Sequence, residues 1–136
     1  MKIFALRLKP NQDLKESLKN FVISNNIEAG FILTTVGSLK QATLRFANQN
    51  DSKVWHDKFE IVSLVGTLST QGIHLHISLS DKEGKTIGGH LEKGCLIYTT
   101  ADTQLRSNIV VETDTETRGR GDAEKNDCTT YECNLV

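Results

Sequence analysis

The chain has 136 residues, which is the size of one ordinary domain. Its 16 Lys and Arg stand against 17 Asp and Glu, for a net charge of −1, and hydrophobic residues make up 38%. This composition excludes an intrinsically disordered chain, because it supplies enough apolar material for a core. No apolar stretch approaches the roughly 18 residues that a membrane span needs, so we expect no membrane partner.

The first half of the chain predicts one strand, one helix and then further strands. Residues 3–8 predict a strand, and Pro10 and Asn11 end it. A single apolar stripe then predicts the one clear helix, with Asp13 as its N-cap and Asn25 near its end. The stripe consists of Leu14, Leu18, Phe21 and Val22.

The remainder of the chain predicts β-structure almost throughout. Residues 30–38 and 41–48 predict a strand pair joined near Lys40, and 48–53 a loop. Further strands are expected at 58–69 with a bend at Gly66, at 72–80, 86–91, 94–101 and 105–111. Residues 81–85 predict a hairpin turn in which Gly84 adopts positive φ. We therefore expect a single α+β domain over residues 1–136, with a largely antiparallel sheet and one main helix near the N-terminus.

The charge is unevenly distributed along the chain. Residues 112–127 hold six acids and three bases, whereas residues 1–111 hold 13 bases and 10 acids. The first segment predicts an acidic polar loop, after which residues 129–136 could form a last strand. The mildly basic body does not have the strongly positive charge that is typical of a nucleic-acid-binding domain.

The cysteines do not predict a disulfide framework. There are three of them, Cys95, Cys128 and Cys133, and the last two do not have CxxC spacing. The first ten residues contain no long apolar run, so we expect no signal peptide. Unpaired thiols and the lack of a signal peptide favour a reducing compartment, and the cytoplasm is the expected location.

Three of the four histidines predict a metal site. His74 and His76 alternate on one face of the strand 72–80, about 7 Å apart along it. His90 lies on the segment that pairs back after the hairpin turn, so it can reach the same face. Three neutral imidazoles suit Zn²⁺ or a similar ion, and an open fourth position would allow a ligand or a water to bind. Histidines on the polar face of a strand often have no ligand, so this alternative stays open.

Two further features are candidates for ligand binding. Gly88 and Gly89 precede His90, and two glycines within a strand allow either a bulge or a close approach of a ligand or a neighbouring subunit. Arg45 lies on the strand 41–48 and could line a cleft. The sequence contains no Ser-His-Asp, Cys-His or phosphate-loop pattern, so we assign no enzymatic activity.

Several stretches resemble the plants-and-prokaryotes-conserved (PPC) domain. They are IEAGFILTTVGSL, ATLRFAN, FEIVSLVGTLS and GIHLHISLSDKEGKTIGGHLEKGCLIYTTA. The resemblance covers residues 1 to about 111 and is most specific in HLHISLSD followed by GGHL. It implies a compact α+β unit that assembles as a homotrimer, and it places the histidine cluster of the family on His74, His76 and His90.

The resemblance leaves the function open between three hypotheses. The first is a stand-alone homotrimer that binds a divalent, zinc-like metal through the three histidines, with a small-molecule or regulatory role. The second, by analogy with plant relatives that carry AT-hooks, is a DNA-binding or DNA-associated regulatory protein. This chain lacks an AT-hook, which weakens that analogy. The third is a trimeric scaffold without a ligand.

Overall fold

The computed structural model describes residues 1–108 of the chain, which form one helix and seven strands. In chain order they are β1 (Lys2–Leu8), α1 (Leu14–Ser24), β2 (Ala29–Arg45), β3 (Ser52–Trp55), β4 (Phe59–Ser69), β5 (Gly72–Ser80), β6 (Thr86–Leu91) and β7 (Leu96–Asn108). The predicted α+β class with a largely antiparallel sheet is confirmed.

All seven strands belong to one sheet with the order β1-β7-β2-β4-β5-β6, and β3 pairs with β2. Every pairing in this sheet is antiparallel. The end of β2 also pairs with β6, where Leu44 lies opposite Leu91 and Arg45 opposite His90. Strands β2, β4, β5 and β6 therefore form a closed ring, and β1 and β7 extend the sheet on the other side of β2.

The helix begins and ends where its sequence predicts. The Asp13 carboxylate accepts a hydrogen bond from the Glu16 N–H at 3.0 Å, which satisfies one of the free donors at the helix start. The second Asp13 oxygen accepts from the Gly94 N–H at 2.6 Å, so the cap also fixes the turn between β6 and β7. The helix buries its stripe against the sheet through three fully buried side chains: Leu14, Leu18 and Val22.

The predicted break near Lys40 is wrong, because β2 is one continuous 17-residue strand. Register shifts between Gly37 and Leu39, and again between Leu39 and Gln41, interrupt its pairing with β7. These irregularities bend the strand, so that its first part pairs with β7 and its end reaches β3 and β6. Such a bend interrupts the alternation of buried and exposed residues along the strand, and in the sequence this interruption resembles a turn.

Two other boundaries differ from the prediction. The loop expected at 48–53 begins and ends earlier, because β2 ends at Arg45 and Ser52 begins the short strand β3. The strands expected at 94–101 and 105–111 are a single strand, β7, up to Asn108. The predicted acidic loop 112–127 and last strand 129–136 lie outside the described residues.

The described residues include no helix that is both long enough and apolar enough to cross a membrane.

Candidate metal centre

Three histidines from two neighbouring strands meet on the outer face of the β2-β4-β5-β6 ring. His76 on β5 lies directly opposite His90 on β6 in the antiparallel register. His74 precedes His76 by two residues and therefore points to the same side of β5. The turn that joins the strands is closed by the Asp81 carboxylate, which accepts from the Glu83 and Lys85 N–H groups at 2.9 Å each. This turn fixes the register, and the register brings His90 to the pair.

The ring nitrogens of this His cluster (His74, His76 and His90) converge. One nitrogen of each ring lies within 4.8 Å of one nitrogen of each of the others. The Nε2 atoms of His74 and His76 are 3.2 Å apart. His74 and His76 are exposed, whereas His90 is partly buried. The cluster is thus open to solvent on one side and anchored in the sheet on the other.

The spacing of the His74 and His76 Nε2 atoms fits a zinc-type ion. Zinc binds imidazole nitrogen at about 2.0–2.1 Å with tetrahedral angles, which places two ligand nitrogens roughly 3.3 Å apart. The 3.2 Å between the Nε2 atoms of His74 and His76 matches that edge. The same distance also suits a hydrogen bond in which one ring donates and the other accepts. Three imidazole nitrogens are donors of the kind that zinc accepts, so the chemistry of the donor set fits the metal that the sequence predicts.

Sequence reasoning missed Glu92, which lies beside the cluster. Its Oε1 is 3.6 Å from His90 Nε2 and 3.5 Å from Arg45 Nε, and its Oε2 accepts a 2.8 Å hydrogen bond from Lys15 Nζ. The register of the predicted hairpin could have revealed the position of Glu92. If His76 lies opposite His90, then a residue two positions beyond His90 falls opposite His74.

Burial and the surrounding charges together favour neutral His90 and ionised Glu92. Burial lowers the pKa of His90, and the positive charges of Arg45 and Lys15 act in the same direction, against the opposing effect of Glu92. Burial alone would raise the pKa of Glu92, but Lys15, His90 and Arg45 together outweigh it, so this pKa lies below its usual value. A neutral imidazole is the form that can bind a metal ion.

The structure places the predicted ligand-binding residues around the same cluster. Arg45 is the cross-strand partner of His90 on β2. Gly88 lies opposite Ser78, two residues before His90 and on the same face. Gly89 lets the β2 backbone approach, because a Cβ there would lie 2.9 Å from the Arg45 carbonyl oxygen. The pairing of β5 with β6 is regular through both glycines, so the alternative of a bulge does not apply.

A shallow groove adjoins the cluster on the β4 side. It has a volume of about 220 Å³. Val65 lies directly opposite His76 in the pairing of β4 with β5, and its side chain is 55% exposed. Gly66 is next to it, where β5 packs closely, since a Cβ at this position would lie 2.0 Å from the His74 carbonyl oxygen. The groove is lined by Val65, Gly66, Thr67, His74 and His76.

Comparison with known proteins supports the fold described above. The sequence model of one protein family, the Plants and Prokaryotes Conserved (PCC) domain, matches residues 1–108. A structure of a hypothetical protein from Salmonella cholerae-suis is 38% identical, with a TM-score of 0.75, and the match covers 76% of this chain and 75% of that one. A metal-containing protein from Archaeoglobus fulgidus is 27% identical, with a TM-score of 0.68, over 79% and 80% of the two chains.

A curated relative places a similar sequence within a much longer protein. The bifunctional protein GlmU of Synechococcus sp. (strain JA-3-3Ab) is 46% identical over 109 residues, which is 80% of this chain. The chain spans only 18% of the length of that relative. The similarity therefore concerns one domain and does not extend to the activity of the whole GlmU protein.

Proposed function

The chain belongs to the Plants and Prokaryotes Conserved (PCC) domain family, and we propose that it is a metal-binding domain that holds one divalent ion of the zinc type per subunit. His74, His76 and His90 are the ligands. The observation that supports this proposal is the convergence of the three ring nitrogens within 4.8 Å. Three neutral imidazoles leave one tetrahedral position open for a water or a small ligand, whereas a purely structural zinc site uses four protein ligands.

A related protein gives independent support. The Archaeoglobus fulgidus structure is of a metal-containing protein, and it shares the fold at 27% identity. In this chain Glu92 adds a carboxylate beside His90, so the proposed cation has an anion near it in addition to its ligands. Such outer groups tune metal affinity.

Metal analysis of protein purified without a His tag tests the proposal. We expect about one equivalent of a divalent metal after loading with Zn²⁺ and gel filtration. The double variant His74→Ala, His76→Ala should retain almost none, because one imidazole alone is a weak ligand. His56→Ala is the matched control, since His56 is exposed and lies outside the cluster. Equal metal content in the wild type and the double variant would reject the metal site and favour a scaffold without a ligand.

We propose further that three copies assemble through the outer face of β1, β7 and β2. Ile3 on β1 and Phe31 on β2 both lie opposite Arg106 on β7, so they share one face of the sheet. Val36 lies further along that face and is 67% exposed. Apolar side chains that remain exposed in one subunit are typical of an interface. The family resemblance, which implies a homotrimer, supports a second copy of the chain as the occupant.

A further inference from the structure

We infer that the open position of the metal site takes a small carboxylate with a short apolar group. The carboxylate lies between the metal ion and Arg45, and the apolar group lies over Val65. This inference deepens the proposed metal site and depends on it. It assigns a chemical class to the ligand and a role to two residues that are not metal ligands.

The first argument is the order of side chains across the ring. Arg45 lies opposite His90, His90 opposite His76, and His76 opposite Val65. These four residues form one row over four adjacent strands, which are spaced about 4.8 Å apart. The row therefore has a cation at one end, the metal ligands in the middle and an apolar side chain at the other end. A ligand that fits this order is negatively charged near Arg45 and apolar towards β4.

The second argument is the charge near the metal ligands. Glu92 Oε1 lies within 3.6 Å of both Arg45 Nε and His90 Nε2, so the guanidinium is close to the cluster. Glu92 Oε2 accepts its strongest hydrogen bond from Lys15. Lys15 and Arg45 thus share one carboxylate, which leaves a net positive charge beside the cluster. A bound divalent ion would increase that positive charge. An anion is the ligand that this surface attracts, and a planar carboxylate suits a guanidinium well.

The third argument is the groove on the β4 side. Its volume of about 220 Å³ suits a group of a few carbon atoms. Val65 provides an exposed apolar wall directly opposite His76. An all-polar anion such as phosphate could reach the metal and Arg45 but would gain nothing from Val65. A short alkyl carboxylate would use both sides of the row.

Cobalt-loaded protein provides the test, because the visible spectrum of Co²⁺ changes when a ligand enters its coordination shell. Titrations with acetate, butyrate and inorganic phosphate should each be followed by absorbance. We expect butyrate to saturate the change and to bind several-fold more tightly than acetate, since its two further CH₂ groups are partly buried on Val65. Phosphate should bind more weakly than butyrate.

Two variants assign the contacts. Arg45→Met should weaken butyrate binding about tenfold or more, as expected for the loss of a charged hydrogen-bond donor. Lys82→Met, on the exposed β5–β6 turn, makes the same change of charge away from the row and should have no effect. Val65→Ser should remove the preference for butyrate over acetate. The cobalt spectrum without added anion shows whether each variant retains the folded site.

The outcomes separate this inference from the metal site itself. A protein that gives no cobalt spectrum would overturn the metal site and this inference with it. A normal cobalt spectrum that butyrate does not change, or equal butyrate affinity in the wild type and Arg45→Met, would overturn the inference and leave the metal site standing. Phosphate binding that exceeds butyrate binding, or a preference for butyrate that survives Val65→Ser, would overturn the assigned apolar contact.

Discussion

Cys95 shows how a single buried thiol is kept unreactive. It is 0% exposed. Its sulfur accepts a hydrogen bond from the Thr43 N–H at 3.2 Å, and its S–H donates to the Thr43 carbonyl oxygen at 3.3 Å. Burial raises the pKa of Cys95 from the usual 9.0 to about 11. The thiol therefore stays protonated and serves as a small packing group between β2 and the start of β7.

We predict that Cys95 does not react in the folded protein at pH 8. In a Cys128→Ser, Cys133→Ser background, a disulfide reagent should label it more than a hundredfold faster in guanidinium than in native buffer, because the raised pKa alone reduces the thiolate about a hundredfold. Rapid labelling of the native protein would contradict this prediction. The raised pKa also means that the free energy of unfolding should fall as the pH rises from about 9 towards 11, since the unfolded chain loses the proton first.

Glu92 balances the charges next to the proposed cation. Without its carboxylate, Lys15 and Arg45 would place two uncompensated positive charges beside the metal ligands. Both cations are held by that one side chain, and His90 lies 3.6 Å from it. Glu92 is therefore a positioning residue for the site. Its effect should appear in metal affinity.

Glu92→Gln should lower the Zn²⁺ affinity about tenfold or more, which is the usual range for groups that support metal ligands. The amide retains the size of the side chain and an acceptor oxygen but removes the negative charge. Competition with a coloured chelator at constant pH measures the change. Glu83→Gln, on the exposed β5–β6 turn, is the control and should bind as the wild type does. If Glu92→Gln binds Zn²⁺ with the affinity of the wild type, the negative charge of Glu92 does not support the metal site.

At the scale of the elements, Gly37 allows the two longest strands to pair closely. A Cβ at Gly37 would lie 2.2 Å from the Thr100 carbonyl oxygen and 2.6 Å from the Ala101 Cα. Both neighbours are backbone atoms of β7, so no side chain can rotate away to make space. Glycine is therefore required at this point of β2, next to the register shifts that bend the strand.

Gly37→Ala should destabilise the fold by about 1–3 kcal/mol, because an added methyl group must displace backbone atoms. Urea unfolding followed by circular dichroism measures the loss. Val62→Ala is a suitable comparison, since Val62 on β4 is 59% exposed and lies outside the proposed interface. If Gly37→Ala and the wild type unfold at the same urea concentration, β2 and β7 can move apart without loss of stability, which would contradict this prediction.

The elements also show what a sequence can and cannot predict. The alternation of residues 72–80 and the turn at 81–85 predict the hairpin, and with it the position of all three histidines. The continuity of β7 was harder to predict, because Asp102, Thr103 and Gln104 resemble a loop. In the structure Thr103 is 1% exposed and accepts a hydrogen bond from the Thr35 hydroxyl at 3.1 Å, so a polar residue is satisfied inside the sheet. Lys15 reaches Glu92 from the helix, a contact over 77 residues that no local pattern reveals.

At the scale of the whole molecule, the proposed trimer depends on the outer face of β1, β7 and β2. Val36→Asp should convert the assembly to monomers, because a buried unpaired carboxylate at an interface is strongly unfavourable. Light scattering after gel filtration measures the mass. Val54→Asp is the control, as Val54 on β3 is 51% exposed and lies outside this face. A wild-type protein that is monomeric, or a Val36→Asp variant that keeps its mass, would contradict the proposed interface.

The pairing of β2 with β6 has a consequence for aggregation. The backbone of a sheet's outermost strand exposes free donors and acceptors, and these can recruit strands from other molecules. Among residues 1–108, β6 pairs with β5 along one side and with the end of β2 on the other. The hairpin that carries the histidines is thus protected from forming intermolecular β-structure where Arg45 meets His90. Strand addition between copies would more readily involve β1, which in the described residues pairs with β7 alone.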